Sequence, residues 1–429
     1  MNYFDLLRLA APETVLVGTA LVVLALGLWE TRAQALCPAV AAAGLLFASS
    51  AVLMLPAQAS LFNGMLVITP LVSLFKIICL ALAFFTVILA RQLGSRHHGE
   101  YLALLLLATV GLMLLVGSEE LLVVFIGLEL TGLSLYVMAA FDKNSIHSAE
   151  AGLKYFLFGS TASAFTLFGI SLVYGMTGTT SLAAIAAKLS PMTPLLAAGL
   201  VMTLIGFAFK VAAAPFHLWA PDTYQGAPPP SAAFIASASK VASFVVLGKI
   251  VLIGFGPVQG AAGWHAMVAG WSPLLAVLAA LSILIGNLAA LAQSNVRRLL
   301  AYSAVAHAGY TLLGLVAGGR DGFSATLFYT TIYAFTLVGA FGVVALVRHE
   351  TGGDDFVHFA GLRRRSPWLA DAWRCSCFRS PVFRRWLGSS ASSISSAPPC
   401  TPGRTTACFG WSPSRSWEVS SRSTTISWS

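Results

Sequence analysis

FAFKVAAAPFHLWAPDTYQGAPPP, residues 207–230, sets a lysine, a helix-breaking proline and an aspartate into one largely apolar stretch. Pro215 follows Lys210 by five residues. It has no N–H to donate and its ring clashes with the preceding turn, so a helix arriving through Lys210 breaks near it. Broken backbone at membrane depth is tolerated where it lines a watery cavity or is buried in protein. A lysine beside such a break is a candidate proton carrier. The bland alternative, a snorkelling lysine, fits poorly because Lys210 lies well inside the run.

The chain around this stretch is apolar throughout. Of its 429 residues 57% are hydrophobic and 10% charged, and the mean hydropathy is +0.82. Soluble domains carry about 25% charged residues, so the expected class is an all-α polytopic membrane protein. Long apolar runs without two-residue alternation argue against a membrane barrel. The first run lacks a small-residue cleavage site after Trp29-Glu30 and is read as a retained span. Eleven spans are expected, near 13–30, 36–55, 66–90, 101–117, 119–141, 153–174, 195–215, 230–255, 271–292, 299–317 and 324–348. They are called spans one to eleven below.

Basic residues follow the odd spans: Arg32, Arg91 and Arg96, Lys143, Arg297 and Arg298, then Arg348 and Arg363 to Arg365. Loops 56–63 and 256–270, after even spans, have neither Lys nor Arg. The positive-inside rule then sets the N-terminus outside and the basic loops in the cytoplasm. The loop after span seven, with only Asp222, is the weak member of the series.

Charges inside the spans are the candidate chemistry, since each costs about 2.5–3.5 kcal/mol at the bilayer centre on insertion scales. Glu129 sits mid-span in GLELTGLSLYVM, residues 127–138. Its bland reading is a protonated carboxyl satisfied by a nearby Ser or Thr. Its functional reading is an acid whose proton affinity follows the distance of a lysine partner. Lys240 lies in SAAFIASASKVASFVVLGK, residues 231–249, among small residues that let helices approach closely. Lys249, nearer the span end, reads as a snorkeller, and Lys76 as either functional or locally paired. Lys154, in AEAGLKYFLFGS, reads alone as an interface anchor. His217 and His307 are candidate relay imidazoles, against the commoner reading of satisfied core histidines.

Other classes find no support. There is no Walker loop, GxGxxG or HExxH, and no CxxC, haem or iron–sulfur spacing. No basic–aromatic patch suggests nucleic acid, and the net charge of +9 reads as topology signal. No cofactor or metal is expected.

GLELTGLSLYVM, AGLKYFLFGSTASAFTLFGISLVYG (residues 151–175), FKVAAAPFHLWAPDTYQGAP (209–228) and NVRRLLAYSAVAHAGY (295–310) together resemble the antiporter-like membrane subunits of bacterial NADH:quinone oxidoreductase, respiratory complex I, and among them the subunit N group. The resemblance runs from near the N-terminus to about residue 370. It implies an antiporter-like fold of fourteen helices with two inverted five-helix repeats, each with a discontinuous helix. It also implies proton pumping driven by quinone reduction elsewhere in the complex, with other membrane-arm subunits and lipid as partners and no quinone assigned here. Glu129, Lys154, Lys210 and Lys240 match the family's charged positions on helices five to eight, and His307 falls in the helix-ten region of the second half-channel. An Mrp-type cation/proton antiporter subunit is the alternative.

The expected divisions are N-terminal helices over 1–100, a first repeat over 101–255, an incomplete second repeat over 256–370, and an aberrant tail over 371–429. The tail holds 16 Ser, 7 Arg, 5 Trp and 4 Cys in 59 residues and no span-length run, which predicts disorder. The codons of RSPVFRRWLGSSASS, residues 379–393, read two nucleotides later can give SLAGIPPLAGFFGK, the pattern of the family's second broken helix. A frameshift near residue 371 is therefore expected, with the missing lysine across Ala391 and Ser392.

Overall fold

Polar caps punctuate the apolar runs. In the computed structural model, which describes residues 3–29, 35–91, 97–189, 193–263 and 266–377, Thr69 precedes Pro70 and Thr193 precedes Pro194, and each hydroxyl accepts a backbone N–H of the first turn. Proline at the first helical position needs no donor, so Thr-Pro opens a helix cleanly. Ser145 caps span six and Asn295 caps span ten in the same way. The boundary between spans four and five, marked only by Ser118 and the Glu119-Glu120 pair, is a tight turn. Ser118 turns extended after Gly117, and the Glu120 carboxylate accepts the Val123 N–H at 2.8 Å to start the next helix.

All eleven expected spans are helical. The helices are Ala11–Gly27, Cys37–Leu53, Pro70–Ala90, His98–Gly117, Leu121–Ala139, Ile146–Thr177, Pro194–Lys210, Ala238–Lys249 preceded by Pro229–Ala236, Trp271–Leu291, Val296–Ala317 and Gly319–Thr351. Among the described residues eight are long and apolar enough to cross a membrane, counting Pro229–Gly254 as one; Ala11–Gly27, Cys37–Leu53 and Pro194–Lys210 are shorter apolar helices. Each of these three has 17 residues, the lower limit for a span. Span eight is the most buried of these candidate spans, at 94% of its most apolar window. Spans six and nine turn much of their surface outward, through Leu153, Leu157, Phe168, Leu284 and Leu288. Such apolar faces suit lipid or a neighbouring subunit.

Two details depart from the expected chain of spans and disordered tail. Ala59–Leu61 pairs antiparallel with Leu66–Ile68, so span three starts at Pro70 rather than residue 66, and Ala261–Gly263 pairs with Ala266–Val268. Between the first pair, Gly64 takes φ +89, which its missing side chain allows. The tail also departs. Helix Pro367–Cys377 continues seven residues past the change in composition, because Trp373 packs against Phe359 beside Val343, Val347 and Leu362. The described residues belong to the unit Met1–Arg384. Residues 378–429, including Ala391 and Ser392, lie outside the described residues, as do Arg32 and Arg96 of the orientation signal.

Candidate functional site

Span seven breaks where its sequence requires. The helix ends on Lys210, Ala212 adopts φ +58, the Ala214–Pro215 peptide is cis, and helix resumes at Trp219–Gly226. The freed backbone is satisfied from neighbours. Ala214 N–H donates to Ser282 Oγ of span nine at 2.8 Å, and Trp219 Nε1 donates to the Phe209 carbonyl at 3.0 Å. Such partners are what allow an interrupted helix inside a bundle. Lys210 therefore sits at the C-terminal end of a half-helix, where the helix dipole favours a cation.

Glu129 and Lys210 line one small cavity of about 10 Å³, with Ser163, Thr166, Phe125 and Phe209 around them. That is close to the room one water requires. The Ser163 hydroxyl donates to Glu129 Oε1. The Lys210 ammonium has no hydrogen-bond acceptor among the described residues and lies 5.6 Å from the centre of the Tyr136 ring. Gly132 leaves it room, since a Cβ there would come within 3.0 Å of Lys210 Nζ. Both readings of Glu129 thus have a counterpart: a serine holds it, and a lysine stands across the cavity.

Lys240 and His307 meet in a second cavity of similar size. Span eight is interrupted at Ser237, whose φ −109 and ψ −81 separate its two helices, and Lys240 stands just beyond. Lys240 Nζ donates to the Ala304 carbonyl of span ten at 2.9 Å. His307 Nδ1 lies 2.6 Å from Tyr329 Oη, and its ring stacks on Tyr333 at 4.1 Å. The interruption at Ser237 was not legible, because no proline marks it. Ser163, Tyr136, Tyr329 and Tyr333 carried no sequence signal apart from the charges they now surround.

Lys154 is not in either cavity. It lies 38% exposed near the start of span six, with Glu150 Oε1 and Asp222 Oδ2 each 2.6 Å away. His217 is buried just past the break, edge-on to Tyr302. Lys249 is not a snorkeller: it is buried, donates to the Val116 carbonyl at 2.9 Å, and has Glu119 at 3.7 Å. The unfilled carbonyls at the end of span four draw it inward. Lys76 is paired, 2.6 Å from Glu13.

Residues 118–381 match the family described as NADH:quinone oxidoreductase/Mrp antiporter, TM. NADH-quinone oxidoreductase subunit N 2 of Acidobacterium capsulatum is 46% identical over 386 residues, 86% of this chain and 78% of that protein. Subunit N of Trichlorobacter lovleyi is 42% identical over 72% of this chain and 64% of its own length. Respiratory complex I from Thermus thermophilus contains a chain that superposes with TM-score 0.70 at 31% identity, covering 90% of this chain and 83% of that one. A chain of the Mrp complex from Dietzia sp. DQ12-45-1b, at 22% identity and TM-score 0.67, shares the fold. Two cavities of intramembrane charge beside interrupted helices, in a chain so similar to these, lead to one assignment: the chain belongs to the antiporter-like membrane-subunit family of NADH:quinone oxidoreductase, in its subunit N branch.

Proposed function

We propose that the chain is a proton-translocating subunit of NADH:quinone oxidoreductase (complex I), with Glu129 and Lys210 as its first acid–base pair and Lys240 and His307 as the following relay. The chain itself carries no redox step, and quinone is reduced elsewhere in the complex; it works beside the other membrane-arm subunits, in the lipid of a bacterial inner membrane. The observation that carries the reading is the shared cavity of Glu129 and Lys210, in which carboxylate and ammonium face each other without an ion pair. A proton passes between such groups only when water or a small movement bridges them, which makes transfer controllable. Lys154, at the Lys154–Asp222 end of the bundle, supplies the pair from the cytoplasm.

The test uses inverted membrane vesicles whose complex I carries this chain. Lys210→Ala should leave the complex assembled and cut protons moved per quinone reduced; an unchanged proton yield removes Lys210 from the path. Sodium-driven exchange by the chain without the NADH module would favour the Mrp-type reading instead. For orientation, a cysteine at Lys143 should resist an impermeant thiol reagent added outside intact cells, while one at Met267 should react. The reverse labelling pattern would place the N-terminus inside.

A further inference from the structure

We infer that Asp222 is a positioning residue for translocation, the clamp on the far lip of the broken span seven; this rests on the relay reading above. One carboxylate binds both halves of the bundle. Its Oδ2 accepts from Lys154 Nζ of span six at 2.6 Å, and its Oδ1 from Arg298 Nη1 of span ten at 2.5 Å. Arg298 Nη1 also donates to Gln225 Oε1 at 3.1 Å. The neighbouring Arg297 donates to the Ala227 carbonyl at 2.9 Å and pairs with Asp354 at 2.5 Å. Residues 222–227, all beyond the break, are thereby gripped from both sides. The absence of lysine and arginine from this loop is explained as well: its charge partners come from spans six and ten.

The clamp connects to the cavity along two routes. Through the chain, it fixes Trp219–Gly226, and Trp219 reaches back to the Phe209 carbonyl next to Lys210. Through span six, Lys154 lies nine residues from Ser163, about 13 Å of helix, and Ser163 holds Glu129. A shift of the segment beyond the break therefore changes the spacing of the acid and the lysine. Because Lys154, Arg298 and Asp222 are partly exposed, either pair alone adds little stability. What the network supplies is geometry.

The experiment compares Asp222→Asn, Asp222→Glu and Lys210→Ala in complex I carrying this chain, reading assembled complex, quinone reduction and protons per quinone. Asp222→Asn should assemble and reduce quinone, with proton yield lowered several-fold; Asp222→Glu, which keeps the charge, should restore most of it. A full proton yield in Asp222→Asn while Lys210→Ala is impaired overturns the clamp and leaves the relay standing. A full yield in Lys210→Ala overturns the relay and the clamp with it. If Asp222→Asn does not accumulate, Arg298→Gln, which removes one arm, is read in the same way: lowered yield supports the clamp, full yield or loss of assembly overturns it.

Discussion

The cavity at Glu129 and the cavity at Lys240 are similar in size but differ in what holds their charges. In the first, an acid is tied to a serine and the lysine opposite has no acceptor. In the second no acid lines the cavity among the described residues; the lysine is bound to a backbone carbonyl, and an imidazole sits against two phenols. The first can store a charge separation and release it on a small displacement. In the second each group is already held by a neutral partner, Lys240 by the Ala304 carbonyl and His307 by the Tyr329 hydroxyl. The break differs in parallel. Pro215 opens several residues of irregular backbone beside Lys210, whereas span eight yields at Ser237 alone.

That contrast orders the expected effects. Removing the acid should hurt most. Glu129→Gln keeps the shape and the Ser163 hydrogen bond but cannot release a proton, so proton transfer should fall by about a hundredfold or more, the scale of a lost acid–base group. Acidification of inverted vesicles measures it, and near-normal rates would make the first cavity no more than a structural pocket. A smaller loss is expected in the second cavity. Tyr329→Phe removes one phenol from His307 while keeping the ring; one hydrogen bond is worth about 1 kcal/mol, or roughly fivefold. If Tyr329→Phe equals Glu129→Gln, the second cavity is not the softer of the two.

Much of this was legible in the chain, for physical reasons. Apolar run length gave the spans, because the bilayer sets the length; Pro215 gave the first break, because proline cannot donate. Glu129, Lys210 and Lys240 stood out because charge is costly in hydrocarbon. What could not be read were partners brought from distant segments. Lys249 looked like a snorkeller until the end of span four was seen to accept it. Lys154 looked like an anchor or, by resemblance, a relay group, and its meeting with Asp222, 68 residues on, could not be read from the chain. Ser237 interrupts span eight with no proline to mark it, its hydroxyl donating to the Ala233 carbonyl. The helix to Cys377 was missed because composition registers serine and arginine but not that Trp373 finds Phe359.

The mildest test separates the two cavities by space alone. Gly132 faces Lys210, and an added Cβ would stand 3.0 Å from the ammonium and 3.2 Å from the Tyr136 hydroxyl. Neither contact is with rigid backbone, and a lysine end can shift by a few tenths of an ångström. Gly132→Ala should therefore fold, and alanine gains up to about 1 kcal/mol of helix propensity in span five. The displaced ammonium, however, moves relative to Glu129 across a cavity only about 10 Å³ in volume. The expected result is normal or slightly raised thermal stability of the assembled complex, with proton transfer slowed by about two- to fivefold, under 1 kcal/mol on the barrier. Among the described residues no comparable glycine faces Lys240 in the second cavity, so the effect belongs to the first. Unchanged proton transfer in Gly132→Ala would mean that the Lys210 ammonium tolerates displacement, and that the spacing of acid and lysine is not what sets the rate.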